Sequence, residues 1–397
     1  MNIMDQIKKN ELPVIIYGAG IVGEVLHQAC INAGINVIGF CDNNLNKTKQ
    51  FLRNLPVIHT PTLKKEFQDA LFLISASDIN DVIRQLDELG FTKWCTGSEF
   101  LRNFDIYQNQ YSLPSDFVEY TVATAILCHD NFLTPDKLFL RSLDIMITER
   151  CSLKCQDCSN LMQYYSKPVD IDLNEIMAMV DRFCFLADEI NEFRVLGGEP
   201  FMHKEAHLII KRLIDEPKVK KVVIYTNGTI LPKDEQLDSM INDKILFIIT
   251  DYGVLSRNLD ELTKKLASKK ISYYVPKAKG WTDCSKIIKH NRSPIEQKEL
   301  FGNCCAKNTI TLSHEKLYRC PFAANAARLM ATPDFTDDYV NIFDESLSVN
   351  QLKKKIRDYL LNTVFLKVCD YCNGRSFGDA EIQPAVQLKN PLAYLKY

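Results

Sequence analysis

The sequence has no long apolar run and almost no net charge, and each absence excludes a class of protein. No hydrophobic stretch comes near the length of about 18 residues that a membrane-spanning helix needs. The 48 lysines and arginines nearly balance the 50 aspartates and glutamates, which leaves a formal net charge of −2. A chain without a basic field has no general attraction to nucleic acid or to an anionic membrane. We therefore expect no membrane and no nucleic acid as a partner.

A targeting sequence is also missing from the beginning of the chain. Met1 to Glu11 is polar and has neither the apolar core of a signal peptide nor the arginine-rich pattern of a transit peptide. We therefore expect a cytoplasmic protein. Its 14 cysteines should then stay reduced and bind metal rather than form disulfides. With 397 residues, of which 46% are hydrophobic, the chain is long enough for two or three cores.

Three closely spaced cysteines follow one apolar segment, Leu143–Thr148. They are Cys151, Cys155 and Cys158, in a C-x3-C-x2-C pattern. Thiolates are soft ligands of the kind that iron–sulfur clusters prefer. Because the spacers are short, one loop can bind three corners of a cubane cluster. The fourth iron then has no ligand from this loop and is open to a small chelating molecule. A zinc site is the alternative, although zinc sites usually show paired C-x2-C units.

This cysteine pattern resembles the signature of the radical S-adenosylmethionine (radical SAM) enzymes. A second motif of that family is similar to Gly197, Gly198, Glu199 and Pro200. In the family this motif closes a barrel strand and presents backbone groups to the methionine amino group of the cofactor. A side chain at either glycine would block that close approach.

The resemblance implies both the cofactors and the chemistry. It implies a 4Fe–4S cluster held by Cys151, Cys155 and Cys158, with S-adenosylmethionine bound to it. A reducing partner such as flavodoxin or ferredoxin would supply the electron that cleaves S-adenosylmethionine. The resulting 5′-deoxyadenosyl radical would take a hydrogen atom from the substrate. No residue is assigned a catalytic role.

A barrel is expected around these motifs. Beyond Leu143–Thr148, apolar strand-like runs alternate with helix-like segments as far as Val275. This order predicts parallel βα units, and the partial (β/α)6 TIM-type barrel of the family fits it. Chemistry gathers at the C-terminal strand ends of such barrels. Thr226 and Asn227 follow the third strand, and the resemblance implies that they bind the cofactor, although Asn-Gly is also ordinary turn chemistry.

A second set of cysteines follows the expected barrel. It comprises the pair Cys304 and Cys305, then Cys320, and finally Cys369 and Cys372. The arrangement resembles the twitch type of auxiliary-cluster domain, a shortened relative of the SPASM domain. The resemblance implies a second 4Fe–4S cluster held by four of these thiols, with Cys304 favoured over Cys305. A structural zinc with four cysteines is the competing interpretation.

The N-terminal region has the order of a dinucleotide-binding turn. An apolar run leads into Gly18, Gly20 and Gly23, a helix-like segment follows, and Asp42 ends a second apolar run. Glycines permit a tight turn against a phosphate, and an acid about 20 residues on can meet a ribose. The region resembles small Rossmann-like domains attached to sugar-modifying enzymes. A nucleotide or NAD is the candidate ligand, and a domain without any ligand is the alternative.

These patterns together predict an α/β protein made of three domains. We expect a Rossmann-like domain, a partial (β/α)6 TIM-type barrel and a small auxiliary-cluster domain of the twitch or SPASM type. The predicted boundaries are 1–110 for the first domain, 111–140 for a linker, 141–290 for the barrel and 291–397 for the last domain.

The predicted activity is hydrogen abstraction from a sugar, an aminosugar or a nucleotide-sugar-like substrate. We expect an oxidation assisted by the auxiliary cluster, which would make the enzyme an oxidoreductase. Peptide maturation is the alternative, because relatives with auxiliary clusters often modify peptides. Those proteins usually begin with a winged-helix domain, whereas a glycine-loop domain stands in its place here.

Overall fold

The computed structural model describes all of the chain except a few short segments. Described are Ile7 and residues 12–48, 50–63, 67–376 and 378–397. The polar segment Met1 to Glu11, on which the cytoplasmic expectation rests, lies outside the described residues except for Ile7. The chain divides into two compact units between Lys137 and Leu138.

The first unit alternates strands and helices. Its strands are β1 (Val14–Tyr17), β2 (Val37–Asp42), β3 (Phe51–Leu52), β4 (Leu55–His59), β5 (Leu71–Ile74) and β6 (Trp94–Thr96). Its helices are α1 (Ile21–Asn32), α2 (Ile79–Glu88), α3 (Ser98–Arg102) and α4 (Ser115–Phe132).

Within the described residues, the strands of the first unit form one sheet in the order β3-β4-β2-β1-β5-β6. All pairs are parallel except β3 with β4. Strand β1 is fully buried, as expected for a parallel sheet covered on both faces. The chain crosses to opposite sides of β1, so the loop after this strand lies at the switch point of a doubly wound sheet. The predicted Rossmann-like fold is confirmed.

Helix α4 belongs to the core of the first unit. Its side chains Val118 and Val122 are buried in the same apolar cluster as Leu26 and Leu101. The predicted linker, 111–140, therefore includes a core helix of the first unit, because the apolar face of α4 is buried there.

The second unit begins with a run of five parallel strands. Its strands are β7 (Phe139–Met146), β8 (Glu189–Leu196), β9 (Val219–Thr226), β10 (Ile245–Ile249), β11 (Ser272–Tyr274), β12 (Thr311–Ser313), β13 (Lys316–Tyr318) and β14 (Tyr339–Asn341). Its helices are α5 (Leu173–Leu186), α6 (Ala206–Asp215), α7 (Asp234–Asp238), α8 (Leu259–Ser268), α9 (Pro294–Asn303), α10 (Pro321–Arg328) and α11 (Val349–Asn362).

Within the described residues, one sheet of eight strands runs through the second unit in the order β11-β10-β9-β8-β7-β12-β13-β14. Strands β7 to β11 are parallel, and β12 pairs in parallel with β7. Strands β13 and β14 are antiparallel additions. This arrangement is consistent with the predicted partial barrel.

The sheet crosses the boundary that the sequence predicted at residue 290. Strand β12 comes from the region of the second cysteine set and lies beside β7, the first barrel strand. The expected hairpin is present, but it continues the barrel sheet because the edge of β7 is free to pair with it. The division of this unit into a barrel and a separate auxiliary domain stays a prediction.

The parallel strands bring the loops of interest to one edge. Met146 at the end of β7 pairs with Leu196 at the end of β8, and Thr226 at the end of β9 pairs with Ile249 of β10. The segments that follow β7, β8 and β9 therefore meet at the C-terminal edge of the sheet. Among the described residues, no helix combines the length and the apolar character needed to cross a bilayer.

Candidate active site

The loop after β8 packs directly on the loop after β7. The amide of Gly198 donates to the carbonyl of Thr148 at 2.9 Å, and the amide of Glu199 donates to the carbonyl of Arg150 at 2.8 Å. A Cβ atom on Gly197 would lie 2.4 Å from the Thr148 oxygen, and one on Gly198 would lie 2.2 Å from the Arg150 oxygen. Both glycines are therefore required by the contact between the two loops.

Glu199 is fully buried beneath this contact. Its carboxylate accepts hydrogen bonds from the Thr226 hydroxyl at 2.8 Å and from the Asn227 amide at 2.8 Å. A third bond, at 3.3 Å, comes from the amide of Phe201. Burial raises the pKa of Glu199 to about 7, and these hydrogen bonds act in the opposite direction. Thr226 and Asn227 are thus brought to the second motif, and Pro200 follows Glu199 in a short 3-10 helix.

The three thiols of the first set lie near one another in one loop. The pKa of Cys151 is raised by burial first and then by the neighbouring Cys158 and Cys155. Burial also raises the pKa of Cys155, to about 11. Tyr252 belongs to the loop after β10. Burial raises the pKa of its hydroxyl group, and the charges of the three thiols raise it further. Tyr252 therefore lies near the first cysteine set.

Side chains from distant segments hold two of these thiols. The Asn227 side-chain amide approaches the sulfur of Cys151 at 3.7 Å. The Gln387 side-chain amide donates to the sulfur of Cys155 at 3.3 Å, and its oxygen accepts from the amide of Lys154 at 2.8 Å. Second-shell contacts of this kind orient metal ligands. Gln387 had no signal in the sequence, because it is more than 200 residues away from the loop that it supports.

The second cysteine set is assembled from three segments of the second unit. Cys304 ends α9, Cys320 precedes α10, and Cys369 lies in a short 3-10 helix just before Cys372. The sulfur of Cys320 accepts from the amide of Ala323 at 3.4 Å. A helix N-terminus lowers a thiol pKa. Burial outweighs this effect, and the pKa of Cys320 is raised.

Cys304 is the member of the adjacent pair that faces the other thiols. After burial, its thiol contributes to the raised pKa of Cys320, of Cys369 (about 12) and of Cys372. The amide of Cys305 instead donates to the carbonyl of Arg375 at 2.8 Å. This geometry supports the prediction that Cys304 is the ligand.

Arg292 fastens the segment that carries the last two cysteines. Its Nη1 atom donates to the carbonyls of Cys369 and Cys372, both at 2.8 Å. The buried carboxylate of Asp338 accepts from the amide of Val368 at 2.8 Å. Burial raises the pKa of Asp338 to about 6. The second set is therefore held by polar contacts from several parts of the unit.

A cavity of about 260 Å³ lies against the second cysteine set and the end of the first cysteine loop. On one side it is lined by Ser159 and Asn160, which follow Cys158. On the other side it is lined by Cys284 and by the second set, namely Cys304, Cys305, Cys320, Cys369 and Cys372. Asp144 and Arg194, from the interior of β7 and β8, form part of the wall. The cavity therefore borders the second candidate cluster site and the two residues that follow Cys158.

The thiols of both cysteine sets are chemically suited to bind iron–sulfur clusters. Thiolates are the ligands of such clusters, and a cubane binds each thiolate through a different iron atom. Among the described residues, no three histidine, cysteine or acidic side chains lie close enough together to hold a single metal ion. The first set has three thiols and the tight glycine contact beside them, and it fits a cluster with one iron left for another ligand.

The glycine loop of the first unit is also closely packed. A Cβ atom on Gly18 (φ +108°) would lie 2.5 Å from Ser75 Oγ, and one on Gly23 would lie 2.0 Å from the Gly18 oxygen. The Asp42 carboxylate accepts from the Ala19 amide at 2.9 Å and pairs with Lys47 at 3.0 Å.

The predicted acid and glycines of the first unit are thus brought together. The same carboxylate also accepts from the amide of Asn44 at 2.9 Å, so it is already engaged within the protein. Among the described residues, Lys47 Nζ is the one atom that a Cβ on Gly20 would approach within 4 Å, at 3.8 Å. That a ligand binds at this loop stays a prediction.

A comparison with protein families matches residues 145–273 to the radical SAM superfamily. This part of the chain is a radical SAM domain. The matched range includes the first cysteine set, the second motif and Thr226 and Asn227. The family confirms the predicted 4Fe–4S cluster and S-adenosylmethionine, and it makes this protein a radical SAM iron–sulfur enzyme.

Curated relatives of this radical SAM enzyme are similar over a limited stretch. A GTP 3′,8-cyclase of Stenotrophomonas maltophilia strain R551-3 is 34% identical over 92 residues, which are 23% of this chain and 28% of the relative. A probable GTP 3′,8-cyclase of Methanocella arvoryzae is 29% identical over 141 residues, or 32% of this chain and 44% of the relative. The chain thus spans less than half the length of either relative.

A comparison with solved structures gives a weak match. BtrN in complex with AdoMet and 2-DOIA is 15% identical, with a TM-score of 0.40, and the match covers 59% of this chain and 93% of BtrN. A score this low carries no conclusion about the ligands of this chain.

Proposed function

We propose that this radical SAM enzyme takes a hydrogen atom from a sugar, an aminosugar or a nucleotide-sugar-like molecule. We further propose that the net reaction is an oxidation assisted by a second 4Fe–4S cluster. A reductant such as flavodoxin or ferredoxin would be its redox partner.

The cavity beside the second cysteine set and the end of the first cysteine loop is the observation that carries this proposal. A substrate in this space lies against Ser159 and Asn160 of the first loop, and on its other side against Cys304 and Cys320. The volume of about 260 Å³ suits a small molecule rather than a long peptide. A small substrate would therefore be within reach of both cluster sites.

The residues of the chain have defined tasks in this proposal. Cys151, Cys155 and Cys158 would hold the first cluster, and Cys304, Cys320, Cys369 and Cys372 would hold the second. When bound, these groups and S-adenosylmethionine supply a 5′-deoxyadenosyl radical and an electron acceptor. The buried Glu199 keeps the second motif in place through Thr226 and Asn227.

Isotope transfer tests the proposal. The full chain, reconstituted without oxygen and reduced, is incubated with S-adenosylmethionine and deuterated glucosamine, N-acetylglucosamine or UDP-N-acetylglucosamine. We expect deuterium in 5′-deoxyadenosine with one of these substrates. When the same substrate is used without label, its product should be two mass units lighter than the substrate. If 5′-deoxyadenosine forms but carries no deuterium from any of these sugars, the proposed sugar-like substrate class is contradicted.

GTP is the second candidate substrate. It is favoured by the relatives named GTP 3′,8-cyclase, whose similarity covers 23% and 32% of this chain. The same assay with GTP deuterated at the ribose separates the two candidates. Peptide maturation, the alternative from the sequence, is tested in parallel with a cysteine- and serine-containing peptide.

The first unit is proposed to bind a nucleotide-linked group. The close packing of Gly18 and Gly23 and the position of Asp42 at the same loop support this proposal. Titration of the full chain with NAD and UDP-sugars, followed by calorimetry, tests it. The absence of heat with all of them would favour a domain that keeps the fold without a ligand.

A further inference from the structure

One arginine in the wall of the cavity has no partner for its side chain within the protein. Arg375 lines the cavity beside the second cysteine set and is half-buried, so part of its surface is accessible. Among the described residues, its guanidinium makes no hydrogen bond and no ion pair. A guanidinium carries a permanent positive charge and five N–H donors in a planar fork. The protein itself therefore leaves this charge and these donors unused.

The backbone around Arg375 is held in place by the second cysteine set. The carbonyl of Arg375 accepts from the amide of Cys305 at 2.8 Å, and Ser376 forms an isolated antiparallel bridge with Cys304. The amide of the preceding glycine donates to the sulfur of Cys372 at 3.3 Å. Binding groups are positioned most precisely when the backbone that carries them is rigid. The side chain of Arg375 therefore starts from a fixed point at the edge of the cavity.

The charge of Arg375 acts on two thiols that the proposed second cluster does not use. Burial raises the pKa of Cys284 and of Cys305, and the guanidinium opposes that rise in both. Both thiols line the same cavity as Arg375. Burial and other groups are the main influences on the pKa values of three proposed ligands, namely Cys320, Cys369 and Cys372. The guanidinium therefore lies on the side of the two spare thiols.

The carboxylates closest to Arg375 along the chain and around the cavity are already engaged. Asp379, from the same segment, accepts from the amide of Ser376 at 2.6 Å. Asp283, which precedes one of the spare thiols, pairs with Lys286 at 2.6 Å. Neither carboxylate forms an ion pair with Arg375 in the part of the chain that the structure describes. The positive charge of Arg375 is therefore not offset by an acidic side chain in contact with it.

The charges at the barrel end of the cavity cancel one another. Asp144 is the one carboxylate among the described residues that line the cavity, and it pairs with Arg194. Glu192 raises the pKa of Asp144 and Arg141 lowers it, so this end holds two groups of each sign. A negatively charged group in the cavity therefore gains most beside Arg375, because a charge is stabilised by an opposite charge that has no other partner.

We propose that Arg375 binds an oxyanion of the substrate, a phosphate or a carboxylate, through the paired N–H donors of its guanidinium. This inference rests on the proposed function and narrows its substrate class to sugars that carry an acidic group. The fork of an arginine matches two oxygen atoms of either group. The acidic end of the substrate then lies beside the second cysteine set. The sugar ring extends towards Ser159 and Asn160 at the end of the first cysteine loop.

Titration calorimetry on the full, cluster-loaded chain with S-adenosylmethionine tests this site. The probes are glucose, glucose 6-phosphate and glucuronate. The wild type should bind one of the two acidic sugars at least about ten-fold more tightly than glucose, because hydrogen bonds to a charged group are the stronger ones. The acidic sugar that is preferred identifies the oxyanion as phosphate or carboxylate. Arg375→Gln should remove the preference, and Arg375→Lys, which keeps the charge but loses the fork, should retain only part of it.

The matched control is Lys307→Gln, which removes the same charge from the wall of the same cavity. The ammonium group of Lys307 donates to the carbonyl of Gly302 at 2.7 Å, so it is already engaged within the protein. Lys307→Gln should therefore keep the preference for the acidic sugar. An equal loss of preference in Lys307→Gln and Arg375→Gln would replace the specific contact with a general effect of positive charge, and it would overturn the inference.

Iron and sulfide are counted in every sample, because the sulfur atoms of the second cluster are the rival partner of this guanidinium. Loss of that cluster from Arg375→Gln would assign Arg375 to the cluster and overturn the inference. Equal affinity of the wild type for all three sugars, no binding of any of them, or an unchanged preference in Arg375→Gln would also overturn it. If Arg375→Gln does not fold, Arg375→Lys decides by the same criteria. Formation of 5′-deoxyadenosine by the wild type is measured in the same samples and reports separately on the proposed function.

Discussion

The two cysteine sets of the second unit are built in different ways. Cys151, Cys155 and Cys158 lie within eight residues of one loop, so their proximity follows from covalent spacing. The second set is drawn from the end of α9, the start of α10 and the 3-10 helix Lys367–Tyr371. One site is local in sequence and the other exists only when the unit is folded.

The difference shows where support for each site must come from. A local loop still needs side chains that fix the direction of its thiols, and Asn227 and Gln387 supply that support. An assembled site needs its segments to be fastened together, as Arg292 and Asp338 do. The same metal chemistry thus depends on two kinds of structural support.

Removing a thiol of the local set should have the largest effect. We expect Cys155→Ala to lower the formation of 5′-deoxyadenosine by at least about 100-fold, because it removes a direct ligand and not only a supporting contact. The product is measured by chromatography after anaerobic reduction with S-adenosylmethionine. Cys95→Ser, in the first unit, is the control and should retain the wild-type rate. A Cys155→Ala protein that cleaves S-adenosylmethionine normally would mean that the first set does not hold the cluster.

Removing a thiol of the assembled set should halve the iron content. The wild type is expected to hold about eight irons and Cys304→Ala about four, because each cubane contains four. Iron, sulfide and zinc are counted after anaerobic reconstitution. The adjacent Cys305→Ala is the matched control and should keep the wild-type iron content. About four irons plus one zinc in the wild type would replace the second cluster with a structural zinc site.

The support of the local set can be weakened without touching a ligand. We expect Gln387→Ala to accelerate the loss of the first cluster to a chelator by about ten-fold, because the thiol of Cys155 loses its hydrogen-bond donor. Bleaching of the cluster absorbance gives the rate. Gln28→Ala, in which an exposed glutamine of the first unit is changed, is the control. Equal rates in all three proteins would show that the contact with Gln387 has no part in holding the cluster.

The smallest expected effect concerns the pH dependence of stability. Folding raises the pKa of Glu199 from 4.5 to about 7, so between these values the folded chain keeps a proton that the unfolded chain releases. The free energy of unfolding should therefore fall as pH rises through this window, with a contribution from Glu199 of roughly 2–3 kcal/mol. The Glu199→Gln protein lacks this titrating carboxyl group. Its free energy of unfolding should therefore fall less than that of the wild type over the same pH range.

Urea unfolding of the cluster-free chain at several pH values between 4.5 and 7 measures this difference. Asp338→Asn provides the comparison from the assembled site, since folding raises the pKa of Asp338 only to about 6. The pH range over which Asp338→Asn changes the free energy of unfolding should therefore end at a lower pH than the range for Glu199→Gln. Parallel pH profiles for the wild type and Glu199→Gln would show that this carboxyl does not titrate as described.

The sequence predicted the elements with strong periodicity and missed the contacts between them. The strand before the first cysteine set was expected at Leu143–Thr148 and runs from Phe139 to Met146. The charged residue Arg141 interrupts the apolar pattern before Leu143, which explains the late predicted start. A charged residue within a buried strand was itself a signal, and it would have identified Asp144 and Arg194 as candidate site residues.

Other site features had no signal in the sequence. Tyr252 follows β10 in a segment with the sequence of an ordinary turn, yet it lies near the first cysteine set. Gln387 lies in a C-terminal segment that reads as a loop. The choice between Cys304 and Cys305 also needed the orientation of α9, because adjacent residues are equivalent in spacing arguments.

The sequence by itself determined the family, the first cysteine set and the doubly wound first unit, because these depend on spacing and periodicity along the chain. Only the tertiary structure decided that the distant cysteines of the second set come together and that a cavity lies between them and the end of the first cysteine loop. Covalent spacing constrains neighbours in the chain, whereas a cavity depends on how distant strands and helices pack. The geometry of the site is therefore a property of the folded second unit.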